Sequence, residues 1–218
     1  MPEETRQSTH RPDPTLDEQL ESILRDQLAE GFWTHAQVLD FAIKVLSDRY
    51  EGVQERAEAV WPRVVAERER DMAAWPAVTD CDRLDAAFEE LNAMGILARH
   101  NWWCCGGCGA GAMPAEAERL GGKWEGVPIV GYAFYHWQNT EGAVEGSGLC
   151  LSYGICREET NAEVWMPEEI EIGRRVMRVL EKHGLKVDWN GSLSRRIKIR
   201  MVWQRRSKPE RFCEVGGT

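Results

Sequence analysis

The sequence predicts an α+β fold, a helical N-terminal half followed by a largely antiparallel sheet of about five strands with one crossing helix. Two periodicities carry that prediction. Up to Gly95 the apolar residues recur every three or four positions, as on one face of a helix; beyond it they alternate, as strand residues do. Size is the third observation: 218 residues, 43% of them hydrophobic and ten of them Trp, are enough to build one core.

The polar residues 1–14 read as a disordered tail. Thr15 then introduces Leu16, Leu20, Ile23, Leu24 and Leu28, an amphipathic stripe that stops at Gly31. Thr34, with Gln37 three residues on, forms a capping box for a second helix that carries Val38, Phe41, Ala42 and Val45 through Tyr50. A third helix runs from Val53 to Met72, with Pro62 set to kink or split it, because proline lacks a backbone donor and clashes with the preceding turn. A fourth covers Asp80 to Met94, with Leu84, Ala87, Phe88 and Leu91 facing inward and Gly95 as its stop.

The strands expected are Ile96–Cys104, Val130–Trp137, Leu149–Cys156, Leu185–Trp189 and Arg196–Trp203, the last two joined through a turn at Asn190-Gly191. A helix from Pro167, in the first-position role that suits proline, to His183 lies between the third and fourth strands. Helices are expected over one face of the sheet. In the last strand Ile197, Ile199, Met201 and Trp203 form the buried side, and Arg196, Lys198 and Arg200 a basic row suited to discouraging edge-to-edge pairing. Trp102, Trp103, Trp137 and Trp189 read as core aromatics. Residues 15–206 then make one domain, 15–95 helical and 96–206 sheet, ahead of a flexible tail at 207–218.

Composition excludes collagen-like, mucin-like and wholly disordered chains. No window approaches the length and hydropathy of a membrane span, and residues 1–14 lack the apolar centre of a signal peptide, so a cytoplasmic location is expected. Seven Cys, an odd number with Cys104 and Cys105 adjacent, then read as reduced thiols or metal ligands in preference to a disulfide scaffold. The net charge is −9, with 14 Lys and Arg against 29 Asp and Glu in residues 1–167, and 13 against 7 in residues 168–218. An acidic bulk argues against nucleic acid as a partner, since phosphate affinity needs concentrated positive charge.

The informative stretch is Trp102-Trp103-Cys104-Cys105-Gly106-Gly107-Cys108-Gly109. Cys105-x-x-Cys108-Gly109 has the form of a zinc knuckle, where glycines allow a tight turn and bring amide N–H groups onto sulfur. Candidates to complete a metal site are Cys104, His100, His136, Cys150 and Cys156. Cys150 and Cys156 share a strand face but lie about 20 Å apart at roughly 3.3 Å per residue, so both cannot touch one ion. Cys104 and Cys105 point to opposite faces if the strand is still extended there. The expected ligand set is therefore Cys105, Cys108, His136 and Cys150, with Cys104 as substitute and zinc as the ion. A redox pair is the competing reading, since C-x-x-C lowers thiol pKa; it normally opens a helix, and Gly-Ala-Gly-Ala after Cys108 is a poor helix start. Simple packing of Cys as a small hydrophobe is the plainest alternative.

A second constellation is Tyr135-His136-Trp137-Gln138-Asn139-Thr140-Glu141, continuing to Glu145. Asn139 or Thr140 can cap a short helical turn, which stacks Glu141 and Glu145 on one side. One imidazole beside two carboxylates fits acid–base or metal chemistry, but equally capping and dipole matching. No phosphate-binding glycine loop, H-E-x-x-H or G-x-S-x-G element occurs, so those routes to catalysis are unsupported.

At these residues the chain resembles an uncharacterised bacterial family, common in actinobacteria and described only as a domain of unknown function. The resemblance lies in Asp82-Arg83-Leu84-Asp85, in Cys104-Cys105-x-x-Cys108-Gly109, and in Phe134-Tyr135-His136-x-Gln138-x-Thr140-Glu141-x-Ala143-Val144-Glu145-Gly146, and it continues through Trp203-x-Arg205-Arg206. Asn139 stands where the family pattern usually has Asp, and Gly106 and Gly107 replace more polar residues. The resemblance implies no particular activity. The reading is a small cytosolic binding or regulatory module with a Cys/His site able to hold zinc. Tyr135, His136, Gln138, Glu141 and Glu145 are its recognition surface for a protein partner. The alternative is a thiol-dependent enzyme, nucleophilic or redox, using Cys105 and Cys108 with His136; no residue is assigned a catalytic role outright.

Overall fold

The computed structural model of the protein describes residues 13–156 and 161–207; apart from residues 13, 14 and 207, the two expected tails lie outside them. Among the described residues the order is α1 (Leu16–Glu30), α2 (His35–Ser47), α3 (Val53–Ala73), α4 (Asp80–Ala93), β1 (Ile96–Arg99), α5 (Gly106–Arg119), β2 (Lys123–Trp124), β3 (Val127–Pro128), β4 (Gly131–Phe134), α6 (Trp137–Val144), β5 (Leu149–Ile155), α7 (Ala162–Lys182), β6 (Lys186–Asp188) and β7 (Ile197–Arg200). The fold is α+β. The main sheet is ordered β1-β4-β5-β7-β6, with β1 and β4 parallel and the other pairings antiparallel, so it is mixed rather than purely antiparallel. Among the described residues, no helix is long and apolar enough to cross a membrane.

The helix starts follow the cap chemistry. Thr15, Thr34 and Thr79 each accept from the backbone N–H three residues on, and Glu18, Gln37 and Asp82 return the bond. Pro62 lies inside α3, which runs through it unbroken. Pro167 is not the first residue of its helix either: Asn161 caps α7 by accepting from the N–H of Glu163, so α7 begins ahead of the proline.

Helices α1, α2 and α3 bury Leu20, Leu24, Val38, Ala42, Ala57 and Val64 against one another. Helices α4 and α7 cover one face of the sheet, setting Leu84, Phe88, Leu91, Val176 and Leu180 on Ala98, Ala133, Leu151, Ile197 and Ile199. The other face is not left bare, as the sequence led one to expect. There α5 places Met113 and Ala117 on Leu97, Tyr132 and Phe134. β7 is an interior strand, flanked by β5 and β6, so its basic row does not guard an edge.

Residues 201–207 strap the helical layer to the sheet. Trp203 Nε1 donates to the Ala29 carbonyl at 3.0 Å, and Arg68 donates to the Arg205 carbonyl at 2.7 Å. Arg205, only 1% exposed, pairs with Asp85 at 2.8 Å and lies over the ring of Phe32. The sequence pattern gave no hint of this burial, since a run of basic residues ordinarily lies on a solvated face.

Candidate functional site

The strand expected to reach Cys104 ends at Arg99. Asn101 and Trp103 then take left-handed backbone angles, φ +46° and +61°, which turn the chain so that Cys104 and Cys105 no longer alternate across an extended strand. Cys105 is the N-cap of α5, and Cys108 falls in its first turn. A helix over this glycine-rich run contradicts its propensity, and tertiary packing supplies the reason. Trp102 Nε1 donates to the Gly109 carbonyl at 3.1 Å, and a Cβ on Gly109 would lie 2.5 Å from Phe134 Cε2, so α5 approaches the sheet as closely as only glycine permits. Further along, buried Glu116 pairs with buried Arg99 at 2.8 Å and secures the far half of the helix to β1.

The sulfurs of Cys104, Cys105 and Cys108 all lie within 4.8 Å of one another. No other group of three or more ligating side chains among the described residues is gathered this closely, and neither His136 nor Cys150 belongs to it. Cys150 sits on β5 opposite Lys198, away from the turn, and strand register keeps it there. Cys104, the substitute ligand in the sequence reading, is the third member.

Position at the helix N-terminus separates the thiols electrically. The backbone N–H of Cys108, the Cys108 thiol, the Cys104 thiol and the N–H of Gly107 all favour the thiolate of Cys105, whose pKa is lowered. The same neighbours act on Cys108 in the opposite sense: bonded to Cys105 and Cys104 and facing their charge, its thiol is pushed up to about 11. Burial, joined at Cys81 by the charges of Asp85 and Asp82, takes Cys81 and Cys156, far from this turn in sequence, to about 11 as well.

His136 is the N-cap residue of α6, its N–H donating to Asn139 Oδ1; Asn139 and Thr140 fall inside the helix. The imidazole is 97% buried, with Nε2 3.3 Å from a guanidinium nitrogen of Arg196. Both groups border Gly106: a Cβ there would lie 2.8 Å from Arg196 Nη2 and 3.7 Å from His136 Nε2. Burial, and then the charge of Arg196, lower the His136 pKa, so the ring beside the cysteine turn is neutral and the guanidinium is the local cation. Sequence reading had placed Arg196 in a surface row and missed this role.

Of the other surface candidates, Gln138, Glu141 and Glu145 are exposed on α6, while Tyr135 is fully buried, its hydroxyl 2.9 Å from His100 Nδ1. Glu141 and Glu145 border a cleft of about 520 Å³ between α6 and the first two helices. A second cavity, about 360 Å³, is walled by Trp33, Phe41, Trp103 and Trp137 and has Cys104 at its margin. The two share Glu30, a residue that no pattern singled out because it lies off the apolar stripe of α1. Glu30 is 4% exposed and accepts from Trp137 Nε1 at 3.0 Å and Gln27 at 3.2 Å. Burial, aided by the charges of Glu141 and Asp26, pushes its carboxyl up to about 7.

Fold and site together define a class: an α+β protein whose parallel βαβ unit carries a three-thiol cluster at the N-terminus of its crossover helix. The chain matches the family described as "Domain of unknown function (DUF6891)" over residues 13–207, and it belongs to that family. Comparisons with curated proteins and with solved structures returned no match.

Proposed function

We propose that the protein carries out thiol–disulfide exchange in a cytosolic setting, with Cys105 as the attacking thiolate and Cys108 as the resolving thiol. One observation supports this most: Cys105 occupies the N-cap position of α5, where the backbone N–H groups of Cys108 and Gly107 favour its thiolate, and Cys108 falls in the first turn beside it. The objection raised by the glycine-rich sequence, that no helix would begin here, falls away. The thiolate of Cys105 attacks one sulfur of a substrate disulfide, forming a mixed disulfide and releasing the other half as a thiolate. Cys108 then attacks Cys105 Sγ, forming the Cys105–Cys108 disulfide; the second half leaves and takes the proton that Cys108 gives up. Two electrons pass from the dithiol to the substrate. Arg196 and the neutral His136 border Gly106 beside the pair, where the imidazole is a local proton acceptor.

Alkylation with iodoacetamide near pH 7, followed by peptide mass mapping, tests the reading. Cys105 should label first, and Cys108→Ser should trap a mixed disulfide with a small aromatic disulfide reagent. Equal labelling of Cys104, Cys105 and Cys108, with no Cys105–Cys108 disulfide in an oxidising glutathione buffer, would end it.

The closeness of the three sulfurs favours a second reading, a soft metal ion held by Cys104, Cys105 and Cys108. Thiolates bound to zinc at about 2.3 Å sit within such a spacing, and three protein ligands leave one position for another donor. Elemental analysis of protein purified without added metal decides it: about one zinc per chain supports this site, and below about 0.1 it is lost.

A further inference from the structure

We infer that the aromatic cavity between the helical layer and the cysteine turn binds a substituted ammonium cation, with Trp33, Phe41, Trp103 and Trp137 as its walls and the Glu30 carboxylate as counter-ion. The inference stands apart from the thiol chemistry and needs neither exchange nor metal.

Three features lead to it. Glu30 is withdrawn from water, and no cation among the described residues pairs with it: it accepts from the neutral N–H groups of Trp137 and Gln27, both on Oε1. Without an ionic partner, burial disfavours its charged form near neutral pH, and a cation bound beside it would favour the carboxylate again. It is also the last residue of α1, where the carbonyl end of the helix dipole makes a negative side chain less favourable still. Second, the cavity is lined by four aromatic side chains, a residue type able to attract a cation, together with Asn101 and Cys104, and its volume of about 360 Å³ is within the range of small-molecule sites. Third, the adjoining cleft carries Asp26, Glu141 and Glu145, all of the sign that draws a cation inward.

These features select among ligands. A phosphate or carboxylate is repelled by every charge facing the space. A bare metal ion finds one buried carboxylate and no set of ligands around it. A neutral apolar molecule would suit the rings but gain nothing from the Glu30 carboxylate. An alkylated ammonium, weakly hydrated and able to touch several rings at once, satisfies both requirements.

Calorimetric titration of the full chain with tetramethylammonium, choline and Nε-trimethyllysine, at constant ionic strength, is the test. At least one should bind saturably at millimolar concentration or tighter, and 3,3-dimethylbutanol, the neutral isostere of choline, at least tenfold more weakly than choline. Glu30→Gln keeps an acceptor for Trp137 and Gln27 and should weaken cation binding at least tenfold. Phe41→Ala, in a half-buried residue that belongs to none of the three cores, guards against misfolding of a core variant and should act in the same direction. Absence of saturable binding by all three cations, equal affinity for choline and its isostere, or full affinity in folded Glu30→Gln would each overturn the assignment.

Discussion

Substituting glycines in α5 separates what packing demands from what helix propensity demands. Gly109 and Gly111 lie two residues apart in the same helix, and an intrinsic preference treats them alike: alanine should gain about 1 kcal/mol at either. Their surroundings differ. A Cβ on Gly111 meets nothing within 4 Å. A Cβ on Gly109 would lie 2.5 and 2.7 Å from Phe134 Cε2 and Cζ and 3.2 Å from Trp102 Cδ1. Carbon atoms in contact prefer about 3.5 to 4.0 Å, so the helix or the ring must move by about 1 Å, and Phe134 is fully buried with no free direction. Overpacking of that kind costs about 1–3 kcal/mol, of which the propensity gain offsets about 1. Gly111→Ala should therefore raise stability by about 0.5–1 kcal/mol, whereas Gly109→Ala should lower it by up to about 2 kcal/mol. Urea unfolding followed by tryptophan fluorescence measures both. The site provides a second readout, because Gly109 holds the helix whose first turn carries Cys105 and Cys108: selective labelling of Cys105 should be weakened in Gly109→Ala and unchanged in Gly111→Ala. If the two variants shift stability in the same direction, or Gly109→Ala is the more stable, close packing is not what fixes this helix and the account of the cysteine turn fails.

Two further perturbations follow from buried charges. Asp85→Ala leaves Arg205 buried without its carboxylate and should cost about 3–5 kcal/mol, while Asp85→Leu combined with Arg205→Met should recover most of that loss; denaturant midpoints of the three variants decide whether the pair is held by mutual compensation. Glu30 gives stability a pH dependence of known sign. Unfolded, it releases its proton near pH 4.5; folded, it holds it up to about pH 7, so the native state carries more protons in that window and stability falls as pH rises through it. Asp26 adds in the same sense, and Glu141, facing from α6, maintains the effect. Glu30→Gln should remove up to about 3 kcal/mol of that decline, seen as a flatter plot of urea midpoint against pH from 5 to 8; an unchanged slope would mean that Glu30 is solvated.

What the sequence disclosed and what it hid have one physical origin. Local rules were legible wherever a few neighbouring residues decide the outcome. The threonine caps, the stop at Gly95 and the alternation of Ile197, Ile199, Met201 and Trp203 depend on positions at most a few residues apart, and the structure follows them. The failures at the cysteine turn and at Arg205 involved partners outside the local segment. The helix after Cys105 exists because Phe134 and Trp102 accept Gly109 at close range, and Arg205 is buried because Asp85 and Phe32 await it. Glycine content and basic charge, judged locally, argued for a loop and for a solvated surface. The same distinction governs the site. Cys105-x-x-Cys108 was conspicuous in the sequence, yet its chemical character turned on whether a helix followed, and that was settled by packing on β4 rather than by the motif. Arg196 and Glu30, which lie beside the cysteine turn and in the neighbouring cavity, each looked ordinary in their own segments. A cysteine motif therefore identifies candidate thiols, while the long-range contacts that orient its helix decide which sulfur's thiolate is favoured and which side chains border it.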